Sequence, residues 1–301
     1  MAHARGPAED LSARRLANRR RLWWAAAINA GLVAAEVAGA LATGSLAVLA
    51  DAGHVLSDLG AIALALLAAH LAERPGSARR TFGLHRGEVL AALINGIALL
   101  AIAVLIAIAA VGRLGDPPHV AGAGTAALGA LSLAVNVAAT AVLAGGERRD
   151  LNLEAVLRHS AADAAGSLAV VVSGAAIALG GATIADPIAS LAIAALIVAG
   201  SLRLIRDPLD VLMETAPPGL DVEDVGRAMC GVPGVTEVHE LHVWSVTPGF
   251  EALAAHVVVA SGRDRDRARR ELELLLRERY GIQHTTLQME EQVEGGLIQL
   301  D

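Results

Sequence analysis

Two histidine–aspartate pairs stand inside long apolar stretches and share one spacing: His54 and Asp58 within Leu46–Leu71, His159 and Asp163 within Leu151–Gly180. An ionisable side chain at bilayer depth costs several kcal/mol unless something compensates it, so such residues mark function by default. A spacing of four puts each pair on one face of a helix, about one turn apart. Together they offer two imidazoles and two carboxylates. That donor set suits a divalent transition metal, zinc above all. Imidazole favours it over magnesium, calcium or manganese, while the carboxylates neutralise its charge. A single His–Asp pair can equally staple its own helix; two identical pairs at matching depth argue for a shared ion.

The stretches that must position these residues are membrane-length. Of 301 residues, 54% are hydrophobic, and several runs exceed the ~20 apolar residues that span a bilayer. Six spans are expected: about Leu22–Thr43, Leu46–Leu71, Val89–Val111, Val120–Leu143, Leu151–Gly180 and Ile184–Leu204. Every basic residue is an arginine, 24 in all. Their clusters (Arg14 to Arg21, Arg74 to Arg86, Arg148 and Arg149, Arg203 and Arg206) lie before span one and after spans two, four and six. The positive-inside rule then puts all of them, and both termini, on the cytoplasmic face. The single cysteine, Cys230, rules out an intrachain disulfide framework and a cysteine-based metal site; its apolar setting reads as buried. No cleavable signal peptide is visible.

With a rise of ~1.5 Å per residue, both His–Asp pairs lie about 12–18 Å from a membrane face. Spans two and five run antiparallel, so His54 should lie level with Asp163 and Asp58 level with His159. Asp51, one turn before His54, is a third acid in span two. It is read as orienting His54 from behind the ligand shell, as part of a proton path, or as a hydrated residue near the outer mouth. Glu36 in span one is ionisable and could line a cavity. Asn29, Asn95 and Asn136 are read as interhelical hydrogen-bonding groups. Asp186–Pro187 reads as the N-cap and first residue of span six.

From Asp207 the composition becomes that of a soluble domain. The order is a short helix at Val222–Met229 capped by Asp221, strands at Val235–Val246 and Ala252–Ala260, a charged amphipathic helix at Arg263–Tyr280, and a strand at Thr285–Glu290. That pattern fits a small open sheet with helices on one face. His239, His242, His256, His284 and Glu290 fall on strands or their ends. His239 and His242, three apart, should face opposite sides unless the strand is bulged.

The segments "LATGSLAVLADAGHVLSDLGAIALALLA" and "HSAADAAGSLAVVVSG" resemble the cation diffusion facilitator family of zinc transporters. "TFGLHRGEVLAALINGIALL", "ADPIASLAIAALIV" and "VHELHVWSVTPGFEALAAHVVV" extend the match to nearly the whole chain beyond the N-terminal tail. The resemblance implies a homodimeric metal/proton antiporter. Its fold would be an all-α bundle of six transmembrane helices plus a cytoplasmic α+β domain of ferredoxin-like, metallochaperone-like type. It maps the family's intramembrane site onto His54, Asp58, His159 and Asp163, in the zinc-type pattern of His–Asp on both helices. It also implies a regulatory zinc site at His239, His256 and Glu290, with Gln288 where some members carry a further ligand histidine. The loop between spans two and three holds His85 among arginines, which does not match the metal site some members carry there. The His-rich loop between spans four and five of other relatives is absent.

The expected organisation is an N-terminal tail, 1–21, a transmembrane domain, 22–206, and a cytoplasmic domain, 207–301. The expected activity is export of Zn²⁺ in exchange for protons across the inner (plasma) membrane. Zn²⁺ serves as cargo and as regulatory ion, and the partners are protons, the lipid bilayer and a second copy of the chain. The same carrier working on Cd²⁺, Co²⁺, Ni²⁺ or Fe²⁺ stays open, as does a membrane-tethered metal sensor. An enzyme is excluded by the lack of a nucleophile–base set or phosphate loop, and no nucleic-acid-binding motif is present.

Overall fold

A computed structural model describes residues 27–72, 78–144 and 153–291; the side chains of 62, 65, 66, 68–72, 139, 142–144 and 153–159 fall outside the description. The N-terminal tail and its arginines, with Arg74, Arg148 and Arg149, also lie outside it. The described chain forms two compact units, Met1–Leu66 with Ile94–Ile205, and Leu67–Leu93 with Arg206–Asp301.

The first unit is helical. Its elements are α1 (Ala27–Thr43), α2 (Leu46–Ala72), α3 (Arg86–Arg113), α4 (Gly122–Ala144), α5 (Leu153–Gly180) and α6 (Ala185–Leu212), of which α2, α3 and α6 run on into the second unit. Among the described residues, Arg86–Arg113, Ser160–Gly180 and Ala185–Leu212 are long and apolar enough to cross a membrane; Ala27–Thr43 and Gly122–Ala138 are shorter apolar helices. Leu41, Leu105, Ile108 and Leu179 point outward and are well exposed, as lipid-facing residues must be. The interior is built from small and branched residues: Ala47, Val48 and Ala50 of α2, Leu99, Ala103 and Ile106 of α3, and Ile193 and Ile197 of α6.

Helix α6 runs eight residues beyond the expected end of span six and carries Pro208 inside it. The expected end followed the charges from Arg203 onward, and charge does not stop a helix, because its hydrogen-bond ladder is equally satisfied in water.

Helices α4 and α5 pack backbone to backbone. A Cβ added at Gly122 would lie 2.5 Å from the Ala178 nitrogen, one at Gly129 2.8 Å from the Val171 nitrogen, and one at Gly174 2.8 Å from the Ala126 Cα. In lipid, tails solvate apolar side chains as well as a neighbouring helix does, so close backbone approach through small residues is what holds helices together.

The second unit contains α7 (Val222–Cys230), β1 (Val235–Thr247), β2 (Phe250–Val259), α8 (Arg265–Tyr280) and β3 (His284–Glu291). The sheet order is β1-β2-β3, with β1 and β2 antiparallel and β2 and β3 parallel. Asp221 caps α7 by accepting from the Glu223 and Asp224 amides, and Asp264 caps α8 by accepting from Arg267. Val225, Met229, Leu253, Val257, Leu272, Leu276 and Ile282 fill one core between these helices and one sheet face. Cys230 is exposed rather than buried, because Met229 takes the inward position in the last turn of α7. The other sheet face is open and carries the histidines.

Gly174→Ala forces its methyl group into the α4 backbone and is expected to cost about 1–3 kcal/mol. Gly200→Ala, with nothing within 4 Å, should be harmless. Thermal melts of the two purified variants in detergent check this.

Candidate metal centres

Helix α2 carries three of the acids and imidazoles singled out from the sequence, and its start is tied to α6. Gly44, in the left-handed region at φ 72°, ends α1. Asp186, with no exposed surface, then caps α2 across the bundle. It accepts from the Ser45 hydroxyl at 2.5 Å, the Leu46 amide at 2.8 Å and the Ala47 amide at 3.3 Å. This corrects the reading of Asp186 as the N-cap of its own helix. It sits inside the first turn of α6, and its carboxylate satisfies the orphan amides of α2 instead. Arg113, donating to the Gly44 carbonyl at 2.9 Å, lies 3.8 Å from the same carboxylate.

Further along α2, His54 and Asp58 converge with Asp163 of α5. One ligand atom from each of the three lies within 4.8 Å of the others, and His54 Nε2 is 2.8 Å from Asp163 Oδ1. The His54 and Asp163 side chains are 18% and 15% exposed. They are therefore shielded from bulk water yet reachable by an ion. His159 lies on α5 one turn before Asp163, but its side chain is outside the described residues.

Asp51 is 1% exposed, which removes the reading of a hydrated outer-mouth residue. Its Oδ2 accepts from Ser132 of α4 at 2.9 Å and Ser167 of α5 at 3.2 Å. The Ser167 hydroxyl also lies 3.0 Å from that of Ser132 and accepts from Asn136 at 3.3 Å. Gly166 lets this carboxylate approach: a Cβ there would meet Asp51 Oδ1 at 3.3 Å. Three helices are thereby pinned together one turn from His54. The serines carried no signal of their own in the sequence, because hydroxyls are common in membrane helices.

On the open sheet face, His239, His256 and Glu290 come together, with one ligand atom from each within 4.8 Å of the others. His239 and His256 are direct cross-strand partners, and Glu290 lies on the neighbouring strand beside Val258. Glu290 Oε1 is 2.8 Å from His256 Nδ1, and Oε2 is 3.3 Å from His239 Nε2. Gln288 donates its amide to Glu290 Oε1 at 2.9 Å. This bond does most to hold the Glu290 carboxyl below the ordinary carboxylate range; the imidazoles of His256 and His239 add to it, and partial desolvation opposes it.

The bulge condition set for β1 is met. The register shifts between His239 and His242, and Glu240 takes φ 48°. The extra residue puts His242 on the same face as His239, where it is exposed and outside the three-residue cluster. The bulge also brings Glu240 Oε2 to 3.4 Å from His256 Nε2, a contact that strand alternation could not foresee. His284 and His85 belong to a different cluster. Both rings stand edge-on to Phe250, at 5.8 Å between centroids in each case, with Phe82 completing the group.

Comparison with known proteins places this geometry in a family. Residues 22–213 match the cation efflux transmembrane domain, and residues 217–292 match the cytoplasmic domain of cation efflux proteins. The chain belongs to the cation diffusion facilitator family. It is similar to the "Zinc transporter ZitB" of Escherichia coli, with 38% identity over 277 residues covering 91% of this chain and 88% of the relative. It is also similar to the "Cadmium, cobalt and zinc/H(+)-K(+) antiporter" of Bacillus subtilis, with 36% identity over 282 residues, 91% of this chain and 89% of that one. The "Metal cation efflux system protein CzcD" of Cupriavidus metallidurans is 32% identical over 274 residues, 91% and 87% of the two chains. As a cation diffusion facilitator, the chain is a multi-pass cation efflux transporter with a cytoplasmic C-terminal domain, and not an enzyme.

Asp186→Ala leaves the Ser45 hydroxyl and two amides without their acceptor and is expected to cost about 1–3 kcal/mol. Hydrogen exchange at Leu46 and Ala47 should speed up, and Asp186→Asn, which keeps one acceptor oxygen, should do less damage.

Proposed function

We propose that this transporter exports Zn²⁺ from the cytoplasm in exchange for protons, holding the ion between α2 and α5 with His54, Asp58, His159 and Asp163. The observation that carries this reading is the convergence of His54, Asp58 and Asp163 ligand atoms within 4.8 Å. His159 completes the set by position, four residues from Asp163 and so on the same helix face. Two imidazoles and two carboxylates make a tetrahedral, charge-neutralising site for zinc.

Exchange follows from the ligands themselves. They bind metal only when deprotonated, so ion and protons compete for one set of atoms. Imidazole is a side chain suited to trading a proton for a metal ion in this way. A site open to the cytoplasm loads the ion and sheds protons; rocking of the bundle turns it outward, where protons displace the ion.

The relatives' names support both the metal and the proton, zinc in ZitB and zinc with H⁺ in the Bacillus antiporter. That second name also favours Cd²⁺ and Co²⁺ as further cargo, since the donor set accepts them. The division into a tail of 1–21, a membrane part of 22–206 and a cytoplasmic part of 207–301 is kept as part of this reading. So are insertion in the inner (plasma) membrane and pairing of two copies. Asp51 would hold α2 against α4 and α5 behind the ligands. His239, His256 and Glu290 would bind a regulatory zinc ion on the open face of the soluble domain.

Zinc uptake into sealed vesicles driven by a pH gradient tests the central assignment. Asp58→Ala and Asp163→Ala should each reduce uptake to the level of protein-free vesicles, and full transport by both would remove the site. Competition with Cd²⁺ and Co²⁺ ranks the cargo.

The soluble site makes a separate prediction. Full-length protein with Glu290→Ala should bind fewer zinc ions per chain. Zinc bound there should fall as pH drops, because its ligands bind metal only when deprotonated. Glu290, held low, stays ionised to more acid pH, and its contribution is lost only as pH falls further.

A further inference from the structure

Glu36 sits in α1, 1% exposed, and neither of its carboxyl oxygens has a hydrogen-bond partner among the described residues. It is outside the donor set assigned to the ion, so the exchange as described gives it no task. Burying a carboxylate without donors is costly in a dry interior, and burying the neutral acid is much less so. Among the described residues, the ionisable groups in electrostatic reach of Glu36 are Asp51 and His54, both on α2; α4 faces it with the Ser132 hydroxyl. That hydroxyl and the one on Ser167 already donate to Asp51. Two carboxyls thus share one buried region, where like charges cannot readily both be present, so one proton is retained there when no cation is bound. Asp51 precedes His54 by three residues, about 4.5 Å of helix rise, so a dication at His54 acts on Glu36 across low-dielectric protein.

We propose that Glu36 carries a proton of the exchange, held when the metal site is empty and given up when a divalent cation occupies it. In the step, the carboxyl O–H bond breaks, the carboxylate keeps the electron pair, and the proton passes to water on the cytoplasmic side. Once the cation has left on the far side, the carboxylate takes one proton from there. Ion and proton therefore use different side chains coupled by charge, in addition to competing for the ligand atoms. The inference rests on His54, Asp58 and Asp163 being the transport site.

Infrared difference spectra of the full-length protein in lipid, zinc-bound minus zinc-free at constant pH, test it. The carbonyl band of a protonated carboxylic acid should be lost on adding zinc. The band should shift in protein labelled with ¹³C-carboxyl glutamate and not in protein labelled with ¹³C-carboxyl aspartate, and this assignment needs no variant to fold. Glu36→Gln should abolish the band, retain zinc binding, and release about one proton fewer per ion bound; Glu36→Asp should restore a zinc-sensitive band. A band that follows the aspartate label, or survives Glu36→Gln, overturns the proposal, as does an unchanged proton count in Glu36→Gln. If instead Asp58→Ala and Asp163→Ala leave zinc binding intact, the transport-site reading fails, whatever the spectra show.

Discussion

A carboxylate cannot be left alone in an apolar helix bundle, and this constraint organises the membrane unit. Asp163 meets His54 at 2.8 Å, which joins α5 to α2. Asp51 meets two hydroxyls, which joins α2 to α4 and again to α5. Asp186 meets the opening turn of α2, which joins α6 to α2. In water such contacts contribute little, because solvent competes for every partner. Within the bundle they decide which helix faces which, since apolar side chains are as well solvated by lipid tails as by one another. The polar residues of α2 therefore set its position at three depths.

Packing supplies the other half of that precision. The glycines of α4 and α5 remove side chains where the two backbones approach, so the hydroxyls of Ser132 and Ser167 reach the same oxygen of Asp51. A centre built from atoms within 4.8 Å of one another tolerates little helix displacement. The bundle meets that demand with small residues on the α4–α5 seam and with a buried cap at the start of α2. The soluble domain solves a related problem differently. There the sheet holds His239 and His256 as cross-strand neighbours, and Gln288 fastens the Glu290 carboxylate that lies between them. Its donors stand on an open face, where water and pH act on them directly.

Much of the architecture was legible in one dimension. Membrane spans announce themselves by length and apolarity, because a helix in lipid must satisfy its backbone internally and cover itself with hydrocarbon. The soluble elements were legible through caps and alternation: Asp221 before α7, and the leucines of α8 at helical spacing. The ends of elements were less so. Helix α6 continues past Asp207 because charge does not stop a helix. The one-residue bulge at Glu240 was posed only as a condition in the sequence, and it reverses the faces of the residues that follow it up to the next register shift after Ser245.

By itself the sequence determined the donor types, their i, i+4 spacing and the helices that carry them, since chemistry and periodicity are local properties of a chain. It also set His54 level with Asp163, given antiparallel spans. Which polar group answers which was decided only by the folded bundle. Asp186 caps a helix some 140 residues away, Asp51 draws its donors from two other helices, and Glu36 is left without one. A hydrogen bond between distant segments depends on which surfaces end up buried together, and burial is a property of the whole packed structure.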